Sequence, residues 1–147
     1  MTKIFIASPF SDPGYEVNQP VLIYRKYNGD GPKGYKSAVT SFCTITNVHR
    51  IKVNNKVLCS FEEFLKLVGN KTVYKNSELE KIYNKRDVIL LEMVYNGYFG
   101  KGNNVIYNVL RSEGLFNGYP YELTFNKSDF IKVLELGKKD VQNIIIN

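Results

Sequence analysis

The chain has little with which to carry out metal, redox or proton-transfer chemistry: two cysteines and one histidine stand in 147 residues. Neither Cys43 nor Cys59 has a second cysteine or a histidine at metal-ligand spacing. That argues against a structural zinc site and leaves buried, reduced thiols as the expected state. His49 would have to serve any Ser/His/Asp set alone, and a single histidine at a strand end is expected on the surface rather than as a general base. No apolar run approaches the ~20 residues that span a bilayer. The apolar stretch at the N-terminus is too short for a signal-peptide core and is broken by Pro9, so a cytoplasmic protein is expected. No repeat, low-complexity tract or linker interrupts the sequence, which reads as one domain over residues 1–147. No catalytic set, cofactor, metal or membrane is indicated.

What is present is basic and aromatic, and it is unevenly placed. A hydrophobic content of 44% with 23% charged residues is globular composition. The net charge is +6, but residues 1–60 carry eight Lys/Arg against three Asp/Glu, while residues 61–147 carry twelve against eleven. Local cation density, more than total charge, attracts a polyanion.

The most informative stretch lies in that basic half. A short apolar strand, Val21 to Tyr24, runs into a loop rich in lysine, tyrosine and glycine (Arg25 to Lys36), and a long β-branched strand follows from Ser37 to about Val48. Cations and tyrosines on a loop between two strands suit a phosphate backbone and a stacked base. Tyr24 and Tyr35 are the expected stacking residues, with Arg25, Lys26, Lys33 and Lys36 as phosphate contacts and the Ser37 hydroxyl adding a hydrogen bond. Gly29, Gly31 and Gly34 match neither a Walker A loop nor a dinucleotide fingerprint and read as turn residues. A second loop, Asn96 to Asn104, carries Lys101, which would close a groove if the two loops share one end of the fold.

Strands are expected near 3–7, 21–25, 37–49, 51–54 or 56–59, 87–96 and 120–125, with Asn54-Asn55 turning a small hairpin. Asp87 to Val94 is nearly continuously apolar, as in a strand buried on both faces. Ser60 with Glu63, and Ser77 with Glu80, read as capping boxes that open helices. Asn126 caps a third helix ending at Gly137, and a further helix covers Asn104 to Arg111. The apolar tail, Val141 to Asn147, is expected to dock on the body or on a partner. This mixed order indicates an α+β fold, a small mixed β-barrel with flanking short helices.

The order of segments resembles a PUA-like domain, the superfamily that includes the ASCH and EVE domains. The nearer likeness is to a bacterial group in which such a domain follows a GNAT-type acetyltransferase domain. The residues carrying it are Val21-Leu22-Ile23-Tyr24-Arg25, Gly34-Tyr35-Lys36-Ser37-Ala38-Val39-Thr40-Ser41 and Ser60-Phe61-Glu62-Glu63-Phe64-Leu65. Later come Tyr121-Glu122-Leu123-Thr124, the run Phe130 to Gly137, and Ile145-Ile146-Asn147. The resemblance implies a pseudo-barrel of five or six strands, and a partner that is nucleic acid, RNA above all, or a modified nucleotide. It also implies an acetyltransferase domain as a potential companion, this chain being either a stand-alone version or the C-terminal part of a longer protein.

Some ASCH-type members are amidohydrolases of acetylated cytidine that work through a lysine, a threonine and a glutamate; Lys36, Thr40 and Glu92 would fill those roles here. The ASCH signature Gly-x-Lys-x-x-Glu-x-Arg is departed from, because Gly34-Tyr35-Lys36 is followed by Ser37-Ala38-Val39. Glu92 is nonetheless the one carboxylate expected to be buried with a raised pKa. The leading reading is therefore a non-enzymatic nucleic-acid-binding module. A small amidohydrolase and an accessory interaction domain using the apolar tail are the alternatives.

Overall fold

A computed structural model describes residues 2–9, 11–32, 36–116 and 125–141. Its elements follow the order β1 (Thr2–Ala7), β2 (Pro20–Arg25), β3 (Ala38–Val53), β4 (Lys56–Val57), α1 (Phe61–Val68), α2 (Asn76–Tyr83), β5 (Val88–Tyr98), β6 (Val105–Ile106), α3 (Tyr107–Ser112) and α4 (Lys127–Leu136). This is a mixed α+β fold. The strands form one sheet in the order β1-β5-β3-β2, with β4 and β6 both pairing with β3. Among the described residues the sheet is open. The expected strand near 120–125 falls almost wholly outside them.

Contacts divide the chain into two compact units, Met1–Gln19 with Thr44–Val94 and Pro20–Cys43 with Tyr95–Asn147. In the first, β1 pairs antiparallel with β5 from Thr2↔Val94 to Ala7↔Ile89. The continuous apolar run of β5 is buried on both faces, as its composition demands: Val88, Ile89, Leu90, Leu91 and Met93 are all inaccessible. Asn54 and Asn55 both take positive φ, 48° and 65°, so β3 turns directly into β4 with Lys52 opposite Val57. α1 opens on the expected capping box, the Ser60 hydroxyl accepting the Glu63 N–H at 3.1 Å. It buries Phe64 and Val68 against Ile4, Ile51, Leu79, Val88 and Leu90.

α2 starts earlier than the Ser77/Glu80 pair suggests. Lys75 holds the N-cap position, and the Glu78 carboxylate accepts its N–H at 3.1 Å. The carboxylate half of the box, three residues into the helix, set the boundary without a hydroxyl partner.

The second unit has its own core of Val39, Phe42, Phe99, Val105, Leu110, Leu115, Phe116, Phe130, Val133 and Leu134. α4 begins at the expected cap, Asn126 Oδ1 accepting the Asp129 N–H at 2.7 Å, and ends at Gly137. The helix expected over 104–111 is shorter. Val105 and Ile106 join the sheet instead, opposite Val39 and Ala38, before α3 begins at Tyr107. Two β-branched residues with an available strand to pair satisfy their backbone groups in the sheet rather than in a first helical turn. Of the apolar tail only Val141 is described, and it packs against this core.

Candidate nucleic-acid interface

The described residues expected to contact nucleic acid lie in the second unit, and the first of the two loops is built around Tyr27. Its hydroxyl donates to the Asp30 carbonyl at 2.6 Å, and the Lys36 ammonium sits 4.7 Å from its ring centroid and 3.4 Å from its oxygen. The chain passes so close to this phenol that a Cβ on Gly29 would stand 2.5 Å from the hydroxyl oxygen, so a larger residue there would displace the ring. The loop is therefore folded back on one aromatic ring, with Lys36 held over its face by a cation–π contact.

Ser37 closes the loop. It is 3% exposed, and its Oγ accepts the Tyr27 N–H at 2.9 Å while also pairing with the Tyr24 phenol. A hydroxyl so placed is engaged inside the protein, where it anchors the loop. Tyr24 is also engaged within its unit. It is half-buried, and its ring meets the Phe116 ring edge-on at 5.5 Å and 68° on the margin of the core. Burial raises the Tyr24 phenol above its ordinary value, with the Ser37 hydrogen bond opposing that rise. Its ring thus takes part in packing at the edge of that core.

The expected cations are outward. Arg25 at the end of β2, Lys26 and Lys36 are all exposed. Lys33 and Tyr35 lie outside the described residues. Lys101 is exposed on the second loop, and backbone pairing brings the two loops to one place on the sheet. The first loop ends at Ser37. The second leaves β5 where the Phe99 N–H donates to the Thr40 carbonyl at 2.9 Å, and it returns where Val105 pairs with Val39. The Tyr107 N–H then donates to the Ser37 carbonyl at 2.8 Å. Both loops are thus pinned to residues 37–40, the start of β3.

One feature of this unit escaped sequence reading. Tyr95 and Tyr98 stack with centroids 4.8 Å apart and planes at 27°, and Tyr98 is 58% exposed. The only signal in the sequence was two tyrosines three apart near a strand end, which is no signal of outward stacking.

Of the lysine–threonine–glutamate set, Lys36 and Thr40 belong to the second unit and Glu92 to the first. There Glu92, 16% exposed, accepts from Asn47 Nδ2 at 2.6 Å and lies 3.7 Å from both His49 Nε2 and Lys71 Nζ. His49 is accordingly a half-buried neighbour of a carboxylate rather than a free surface residue. Among the described residues, its Nε2 has no hydrogen-bond partner.

Also among the described residues, no group of three or more His, Cys, Asp or Glu side chains could hold a metal ion, and no helix is long and apolar enough to cross a membrane. Comparison with protein-family models, with curated proteins and with solved structures finds no match to this chain.

Proposed function

We propose that this chain is a PUA-like module that binds nucleic acid through the face built on residues 25–32, 36–40 and 99–106, without catalysis of its own. In this reading the sheet is part of a pseudo-barrel, and RNA is the favoured ligand. The observation that carries it is the pinning of two cation-bearing loops to the start of β3. Arg25, Lys26 and Lys36 project from one loop and Lys101 from the other. Preorganised stems lower the ordering cost of binding, and exposed cations with no carboxylate partner among the observed ion pairs remain available for phosphates.

Fluorescence anisotropy with short RNA and DNA oligomers at ~50 and ~200 mM salt tests this. Four phosphate contacts on a single strand imply an affinity loss of about 50-fold across that range. Arg25→Ala combined with Lys26→Ala should weaken binding and flatten the salt dependence by about 0.7 per contact removed. Binding that ignores salt, or that survives both substitutions unchanged, overturns the reading.

A further inference from the structure

We propose that Tyr98, backed by Tyr95, is a stacking platform for an unpaired nucleobase. This rests on the nucleic-acid reading above and specifies the ligand class: a single-stranded or flipped-out base rather than intact duplex. Three observations converge. First, the two rings are nearly parallel and in contact, yet neither belongs to the core of their unit, and Tyr98 leaves more than half its surface to solvent. An aromatic ring held flat by a second ring has lost the rotamer freedom that a ligand would otherwise have to freeze.

Second, a cation adjoins Tyr98. The charge of Arg25, exposed at the end of β2, acts on the Tyr98 phenol, which is itself hydrogen-bonded to Tyr95. Lys139 lies beside Gly97, its ammonium 3.4 Å from the place a Cβ there would occupy. Third, Gly97 between the tyrosines is a close approach, since its Cβ would also stand 3.0 Å from the Phe42 ring. The backbone there is drawn against Phe42, while the tyrosine on its C-terminal side stays outward. An exposed π face with a cation nearby is complementary to a base with its adjoining phosphate, and stacking of this kind accepts any base identity.

The test uses the full chain and three variants, Tyr98→Ala, Tyr98→Phe and Arg25→Ala. Labelled single-stranded octamers, the corresponding duplex and free adenosine monophosphate serve as probes. Tyr98→Ala should weaken single-strand binding ~5- to ~150-fold with an unchanged salt slope, whereas Tyr98→Phe stays within about twofold. Arg25→Ala should instead reduce the salt slope. Because the chain has no tryptophan, its intrinsic fluorescence is tyrosine fluorescence. Quenching by the mononucleotide should therefore be lost in Tyr98→Ala, circular dichroism confirming that the variant is folded.

Wild-type affinity in Tyr98→Ala, with salt-dependent binding intact, would overturn the platform and leave the nucleic-acid reading standing. Failure of the wild-type chain to bind any oligomer would overturn that reading. In that case, quenching by adenosine monophosphate that depends on Tyr98 would uphold the platform for a free nucleotide, and its absence would overturn that too.

Discussion

Replacing Ser37 by alanine should damage the candidate interface without touching any surface that a ligand could reach. The side chain is 3% exposed, so the substitution removes one oxygen from the interior and leaves little void. Two groups lose their partner. The Tyr27 N–H, part-buried and bonded to Ser37 Oγ at 2.9 Å, would be left unsatisfied, at a cost of about 1–3 kcal/mol. Tyr24 is only partly buried, so weakening its pairing adds under about 1 kcal/mol. A total near 2 kcal/mol lowers the urea midpoint by roughly 1 M at a typical slope of ~2 kcal/mol/M. For a chain of this size it lowers Tm by about 4–8 °C.

Urea unfolding followed by circular dichroism reads the midpoint. Tyr24→Phe and the double variant complete a cycle whose coupling should be about 0.5–1 kcal/mol. In the binding assay, Ser37→Ala should lose affinity while keeping the wild-type salt slope, since no phosphate contact is removed. An unchanged midpoint would refute the claim that this hydroxyl holds the loop, and a shallower salt slope would make Ser37 a phosphate ligand after all.

Gly29→Ala should drive the Tyr27 ring off its Asp30 and Lys36 contacts, read as loss of amide hydrogen-exchange protection at Tyr27; retained protection would mean that the loop does not depend on that approach. Phe64→Ala and Leu110→Ala, each at a fully buried position of a different unit, should cost about 3–5 and about 2–5 kcal/mol respectively in urea unfolding, and a cost under about 1 kcal/mol at either would contradict its assignment to a packed core.

Asp87 should contribute to acid sensitivity. The Asn54 N–H first, and then Arg86, hold its carboxyl below the ordinary value of 3.8. A lowered folded value means that its stabilisation is complete above the unfolded carboxylate value and is lost as pH falls through the folded one. Asp87→Asn should therefore flatten the acid side of a stability–pH curve and leave the pH dependence near neutrality unchanged. An acid limb identical to wild type would remove Asp87 from that account.

The parts of this molecule legible in its sequence are those settled within a few residues. Asn54-Asn55 turns β3 into β4 because asparagine tolerates the left-handed backbone that a tight hairpin requires. Ser60 with Glu63, and Asn126 ahead of Asp129, satisfy helix N–H groups at a spacing of three, a relation independent of the rest of the fold. β5 was legible because a run of apolar residues flanked by turn signals has nowhere to go but the interior.

The candidate site was legible only in composition. That Arg25, Lys26, Lys36 and Lys101 would face solvent follows from the hydration of charge, whatever the fold. Which tyrosine would do what did not follow. Tyr24, Tyr27 and Tyr98 are chemically identical, yet the first packs on Phe116, the second carries the loop and the third stands outward on Tyr95.

The sequence by itself determined the α+β class, the principal strands and helix caps, and the basic character of one stretch, because these depend on local backbone preference and on the transfer of side chains from water. Tertiary structure decided that Ser37 faces inward, that Val105-Ile106 extends the sheet, that Glu92 gathers Asn47, His49 and Lys71, and that two distant loops meet at the start of β3. Each of those outcomes joins residues about 10 to 70 positions apart. Their energies belong to pairings that exist only once the sheet has brought the partners together, so no window of the sequence contains them.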